Sequence, residues 1–214
     1  MTENFTAEER RLLTAIYPII VEKGLKSTTM DLVAHRLGMS KRTLYEIFES
    51  KTAMITGALA LHAMENHEKA DEIMRSAPNV LVALIRIFEI HRRDLERINI
   101  NFFKDMDRLY HDMRDKYEHN HEEHRAAMEQ LYQKGISEGV FRDDVNFRIL
   151  SRMMEIQAES LKRMEDLFPP EISLVEIFDT MSLGFLRSIA SEEGHRMIDR
   201  YLADRKASLS PTNK

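Results

Sequence analysis

Residues 24–51, Gly24-Leu-Lys-Ser-Thr-Thr-Met-Asp-Leu-Val-Ala-His-Arg-Leu-Gly-Met-Ser-Lys-Arg-Thr-Leu-Tyr-Glu-Ile-Phe-Glu-Ser-Lys51, carry the densest local signals in the 214-residue chain. Thr28-x-x-Asp31 offers a cap for a short helix bearing Leu32, Val33 and Leu37, and Gly38 is its natural left-handed stop. Ser40 caps a second segment, Lys41 to Phe48. Two helices over Thr29–Leu37 and Lys41–Phe48, joined by a tight turn, have the dimensions of a helix-turn-helix. Leu44, Ile47 and Phe48 form the inward side of the second helix, leaving Lys41, Arg42, Thr43 and Tyr45 to face a groove. Helix N-termini present free amides that suit phosphate oxygens. Thr28, Thr29 and Ser40 add hydroxyls there, Lys41, Arg42 and Lys51 add cations, and Tyr45 adds a phenol.

Outward from this stretch the breakers divide the chain into helical blocks. Thr6-Ala-Glu-Glu9 is a capping-box pattern, followed by Leu12, Leu13, Ile16, Ile19 and Ile20 at helical spacing with Pro18 among them. Ser50 precedes a block with Met54, Leu61 and Met64, and Pro78 separates that from Val80 to His91. Leu95, Ile98, Phe102, Met106, Leu109, Met113 and Tyr117 keep three- and four-residue steps. Gly135 and Gly139 mark the end of the next helix, and the series Phe147, Leu150, Met154, Gln157, Leu161 and Met164 stops at Pro169-Pro170. Ile172 to Ala190 is the least charged long block, and Gly194 punctuates it before a short closing helix. Nothing reads as a strand, so the expected class is all-α.

Composition limits the alternatives. The chain has no cysteine, which removes disulfides, thiol catalysis and Cys-ligated zinc and fits a reducing cytoplasm. No stretch approaches the ~18 uninterrupted apolar residues of a spanning helix, so no membrane partner is expected. Met1 to Arg11 carries glutamates and no apolar run, so no secretory signal is expected. A net charge of −5 counts on its face against nucleic acid. Between Gly24 and Lys51, however, Lys26, Arg36, Lys41, Arg42 and Lys51 oppose Asp31, Glu46 and Glu49, leaving +2 there and −7 elsewhere. A weakly basic head on an acidic body suits a groove-reading module that avoids coating DNA indiscriminately.

Gly24, the Thr28-Thr29 pair, Val33-Ala34, and above all Gly38-Met-Ser-Lys-Arg-Thr-Leu-Tyr45 followed by Phe48 and Ser50-Lys51 resemble the DNA-binding domain of the tetracycline-repressor (TetR) family. The resemblance covers roughly residues 8 to 60. It implies an N-terminal three-helix helix-turn-helix domain over 1–50, a helical effector-binding and dimerisation domain over 51–207, and a flexible tail over 208–214. It further implies a homodimer on palindromic operator DNA, most often as a repressor, released by a small apolar or aromatic effector. Family contacts carry over to Thr28 or Thr29, Ser40, Tyr45 and Lys51 for phosphates, and to Lys41, Arg42 and Thr43 for the groove. Glu46 departs from the pattern, standing where several relatives have an aromatic or basic residue.

Candidate pocket residues are Phe102, Phe103, Met106, Tyr110, Met153, Met154 and Gln157, which combine adaptable apolar surface with isolated polar groups. In the family the last two long helices pair with those of the partner, so the candidate dimer residues are Phe147, Leu150, Met154, Leu161, Phe178, Met181, Phe185 and Ile189. Gly184, Ser188 and Ser191 add a small-residue stripe. His119, His121 and His124 lack a third fixed ligand and read as a solvated helix, so no metal or other cofactor is expected. No phosphate-cradling glycine loop, His-Glu-x-x-His or Gly-x-Ser-x-Gly is present, so no enzymatic activity is expected. The alternative function is an architectural or partner-controlled DNA-binding protein of the same fold with no small ligand.

Overall fold

The computed structural model describes residues 4–99, 102–103, 105–106, 121–161, 167–169 and 171–209, without the side chains of 121–124 and 208–209. Among the described residues the helices are α1 (Ala7–Lys23), α2 (Met30–Leu37), α3 (Lys41–Ile47), α4 (Lys51–Ser76), α5 (Val80–Leu95), α6 (His121–Ser137), α7 (Phe147–Ser160), α8 (Leu174–Ile189) and α9 (Glu192–Leu209). The strand-like pairing among them is an isolated antiparallel bridge, Phe141 to Ala190. The chain is therefore all-α, as its spacing predicts. His119, the side chains of His121 and His124, Tyr110 and residues 210–214 lie outside the described residues. The last helix, α9, runs on to Leu209, two residues into the segment expected as a tail.

The chain divides into two compact units: Met1–Glu72 with Arg93–Lys116, and Ile73–Arg92 with Tyr117–Lys214. The expected boundary after residue 50 falls short. Met54, Ile55, Ala58, Leu59 and Leu61 of α4 are buried in the same core as α1, α2 and α3, so the first unit includes most of α4.

In the first unit, α1 opens with the predicted capping box. Thr6 Oγ1 accepts from the Glu9 amide at 3.2 Å, and Glu9 Oε2 accepts from the Thr6 amide at 2.8 Å. The Thr6 amide, and after it the Thr6 hydroxyl, donate to the Glu9 carboxylate and hold it below its ordinary pKa. Leu13, Ile16 and Ile20 then meet Leu25, Val33, Leu44, Met54 and Leu61 in one core. Pro18 lies within α1 on an exposed position, so only the lost amide bond to the preceding turn is sacrificed. Tyr17 stacks on His62 with centroids 3.7 Å apart, and His62 Nε2 lies 3.2 Å from Asp94 Oδ2. Burial, reinforced by the Asp94 charge, pushes the Tyr17 phenol well above its ordinary pKa.

The second unit is built on aromatic stacking. Tyr132 lies face to face with Phe147 at 4.3 Å and 8°, and Phe141 stacks on its other side at 6.0 Å. Arg142 N–H donates to Ile189 O at 2.9 Å and Ser191 N–H to Val140 O at 3.0 Å, tying this cluster to the end of α8. Asp179 of α8 pairs with Arg92 of α5 at 3.2 Å and with Arg205 of α9, and Glu89 of α5 accepts from Tyr201.

Two glycines read as helix ends lie inside helices. A Cβ on Gly135 would sit 2.0 Å from the Phe141 ring, and one on Gly194 would sit 2.3 Å from the Val140 carbonyl oxygen. Both positions are glycine because another group comes too close, and Gly139, at φ +73°, makes the turn instead. Gly135→Ala should therefore lower stability by about 1–3 kcal/mol in urea denaturation, although alanine is the better helix former. Unchanged stability would show that the Phe141 ring swings aside freely.

Candidate nucleic-acid interface

The helix-turn-helix comprises α2 and α3, each set by a side-chain cap. Thr29 Oγ1 accepts from the Leu32 amide at 3.1 Å, making Thr29 the N-cap of α2. The cap thus falls one residue after the predicted Thr28. Thr28 is fully buried, its hydroxyl donating to Gly24 O at 2.8 Å and its amide to the same oxygen at 3.2 Å. A phosphate contact from the Thr28 side chain is thereby excluded: it has no exposed surface, and its proton is already used.

Gly38, at φ +66°, ends α2 in the left-handed conformation, donating its amide to Ala34 and His35 carbonyls. Ser40 then caps α3, its Oγ accepting from the Thr43 amide at 3.0 Å and lying 2.8 Å from Thr43 Oγ1. Leu44 is fully buried, and Phe48 joins it in the core just beyond the helix. The opposite side of α3 is solvent-facing. Tyr45 is 47% exposed and the Arg42 side chain 90% exposed.

Ion pairs order this polar face. Lys41 Nζ bonds Asp31 Oδ2 at 2.8 Å, tying α3 to α2, and that bond raises the Lys41 pKa above its ordinary value. Arg42 Nε bonds Glu46 Oε1 at 3.0 Å along the helix. Both pairs are exposed to solvent and screened, so they orient side chains more than they stabilise the fold. Glu46, the departure from the family pattern, thus lies against its own helix and holds Arg42. The i,i+4 spacing made the Arg42–Glu46 pair legible in sequence, whereas Asp31–Lys41 joins separate helices and left no periodic signal.

Lys51 also braces the protein's own backbone. Its Nζ donates to the Lys26 carbonyl at 2.9 Å, and burial lowers its pKa against the opposing charge of Asp105. Thr29, Ser40, Lys41, Arg42, Thr43 and Tyr45 are exposed, Lys51 is partly exposed, and Thr28 is turned into the protein.

Residues 12–58, which span this arrangement, match the family described as bacterial regulatory proteins, tetR family. Over that segment the chain is similar to the TetR family. Its similarity to YhgD, an uncharacterized HTH-type transcriptional regulator of Bacillus subtilis (strain 168), is 33% identity over 101 residues. That match covers 45% of this chain and 52% of YhgD, so the chain spans about half the length of this curated relative. The ketosteroid transcriptional regulator KstR2 of Mycobacterium tuberculosis has the same fold, with a TM-score of 0.56 at 21% identity over 88% of this chain and 98% of its own. A protein from Saccharomonospora viridis with a proposed role in transcriptional regulation, solved in complex with choline, has a TM-score of 0.66 at 18% identity, covering 87% and 100%.

The remaining expected sites are distributed between the two units. Phe102 is buried in the first unit's core, with Phe103 and Met106 packed against it. Met153, Met154 and Gln157 instead line a groove of about 720 Å³ in the second unit. The expected single pocket lining is thus divided, because the Phe102 periodicity belongs to a core stripe. Of the dimer candidates, Phe147, Leu161, Phe178 and Ile189 are buried within the chain and leave little surface for a partner. Leu150, Met154, Met181 and Phe185 line the groove, as do Gly184 and Ser188. Ser191 leaves that stripe to bond Gly139 O at 2.7 Å and to cap Gly194. Among the described residues no cluster suited to a metal ion occurs, and no helix is long and apolar enough to cross a membrane.

Thr28→Val keeps the buried volume and removes the hydroxyl proton that Gly24 O accepts. It should destabilise the first unit by about 1 kcal/mol in thermal denaturation, while Thr29→Val costs a similar amount through the lost cap. A neutral Thr28→Val would place its hydroxyl elsewhere.

Proposed function

We propose that this chain is a DNA-binding transcriptional regulator, acting as a homodimeric repressor on palindromic operator DNA. The observation that carries the reading is the outward row of Lys41, Arg42 and Tyr45 on a helix whose other side is anchored by Leu44. A cation pair and a phenol on one short exposed helix provide phosphate contacts and groove readout together. The +2 charge of residues 24–51 within a chain of −5 supports a footprint confined to that surface.

The dimer reading rests on α7. Ile149, Met153 and Ile156 are 57%, 50% and 57% exposed and follow one another at helical steps, beside the groove between α7 and α8. Exposed apolar surface of this extent is characteristic of a face that another chain covers. Pairing of the α7 and α8 faces would set two heads against successive major grooves, about 34 Å apart. Release by a small apolar or aromatic effector is supported by the Met- and Phe-lined groove. Control by a partner without an effector is favoured by the continuity of that groove with the exposed α7 face.

In gel-shift titration against DNA selected by the wild-type chain, Arg42→Ala should weaken binding about tenfold and reduce the salt slope by about 1. Tyr45→Phe should weaken it about three- to tenfold through one lost hydrogen bond. Unchanged affinity in both variants removes α3 as the reading helix. For the dimer, Gly184→Arg meets nothing within 4 Å of its Cβ inside the chain, so the protomer should fold normally. Sedimentation should then show monomer where the wild type is dimeric; a dimeric variant moves the interface away from α8.

A further inference from the structure

We propose that Asp105 is a positioning residue of the DNA-reading head, fixing the loop that delivers α2; the proposal rests on the DNA-binding reading above. Both backbone groups of Lys26, in the loop between α1 and α2, are held by side chains from distant parts of the chain. Its amide donates to Asp105 Oδ2 at 2.9 Å, and its carbonyl accepts from Lys51 Nζ at 2.9 Å. The same segment holds the end of α1 a few residues earlier, where the Asn99 amide donates to Val21 O at 2.7 Å. Gly24 lies under the carboxylate, with the position of a Cβ 3.5 Å from Asp105 Oδ2.

The loop leads directly into the helix-turn-helix. Gly24 O accepts both donors of Thr28, Thr29 caps α2, and Asp31 of α2 holds Lys41 of α3. A shift of the Asp105 carboxylate therefore moves the start of α2, and α3 follows through that ion pair. The Asp105 charge also offsets the desolvation of the Lys51 ammonium, so acceptor and cation brace the loop from its two ends.

Simple electrostatics and this clamp predict opposite signs. Removing an anion from a DNA-binding unit should tighten binding by reducing repulsion. Releasing the Lys26 amide should weaken it, because the helix-turn-helix then has to be ordered during binding.

The test uses the full chain and a fluorescein-labelled duplex that the wild type selects from a random-sequence library. Asp105→Ala should weaken binding about tenfold at fixed salt and leave the slope of log affinity against log salt unchanged, since the same phosphates are met. Asp105→Asn retains a carbonyl acceptor and should stay within about threefold of wild type. In the free protein, exchange of the Lys26 amide should accelerate in Asp105→Ala and remain near wild type in Asp105→Asn. Equal or tighter binding by Asp105→Ala, or an unaltered Lys26 amide, overturns the proposal. If Asp105→Ala does not fold, tighter binding by Asp105→Asn overturns it instead. A wild-type chain that selects no duplex refutes the DNA-binding reading itself, and this inference with it, whatever the amide shows.

Discussion

A helix of seven residues has no stability of its own in water, where isolated helices below about 12 residues are marginal. The whole reading surface therefore depends on the burial of Leu44, with Phe48 just beyond, in the core shared with α1, α2 and α4. Full burial of a leucine contributes about 2 kcal/mol, whereas the exposed Lys41–Asp31 and Arg42–Glu46 pairs chiefly orient their side chains. The apolar anchor holds the helix in place, and this leaves the exposed side chains available for chemistry. Such a division explains how seven residues can be both part of a core and a recognition surface.

The same economy governs the loop before α2. Its backbone groups cannot all be satisfied locally, so Thr28, Lys51 and Asp105 satisfy them. Thr28 has the chemistry expected of a phosphate contact and is used internally instead, while Lys51 gives one of its donors to the loop. Residue type alone does not distinguish these uses. A threonine beside a helix start is suited to capping, to phosphate binding or to satisfying a buried carbonyl, and only burial decides which.

Legibility in the sequence followed the range of each interaction. The capping box at Thr6 and Glu9, the Ser40 cap and the Gly38 stop depend on neighbours within a few residues, and all were readable. The core boundary was not, because α4 contributes Met54 and Leu61 to a core whose other walls are α1 and α2. Gly135 and Gly194 looked like helix ends because a glycine in sequence does not reveal an aromatic ring or a carbonyl arriving from elsewhere. Phe147 and Ile189 recur at helical spacing as an interface stripe would, but the surface they meet is within their own chain. Periodicity identifies an apolar face without identifying what covers it. Ile149, Met153 and Ile156, the residues left exposed on α7, became visible only once the core had been assigned.

The measurement bearing most directly on this account is hydroxyl-radical footprinting of the full chain on a duplex it has itself selected. Two protected patches should appear, related by a dyad and about 34 Å apart on one face of the DNA, as expected for paired α3 helices in successive major grooves. A single patch would contradict the paired arrangement, and uniform protection along the duplex would contradict sequence reading by Lys41, Arg42 and Tyr45.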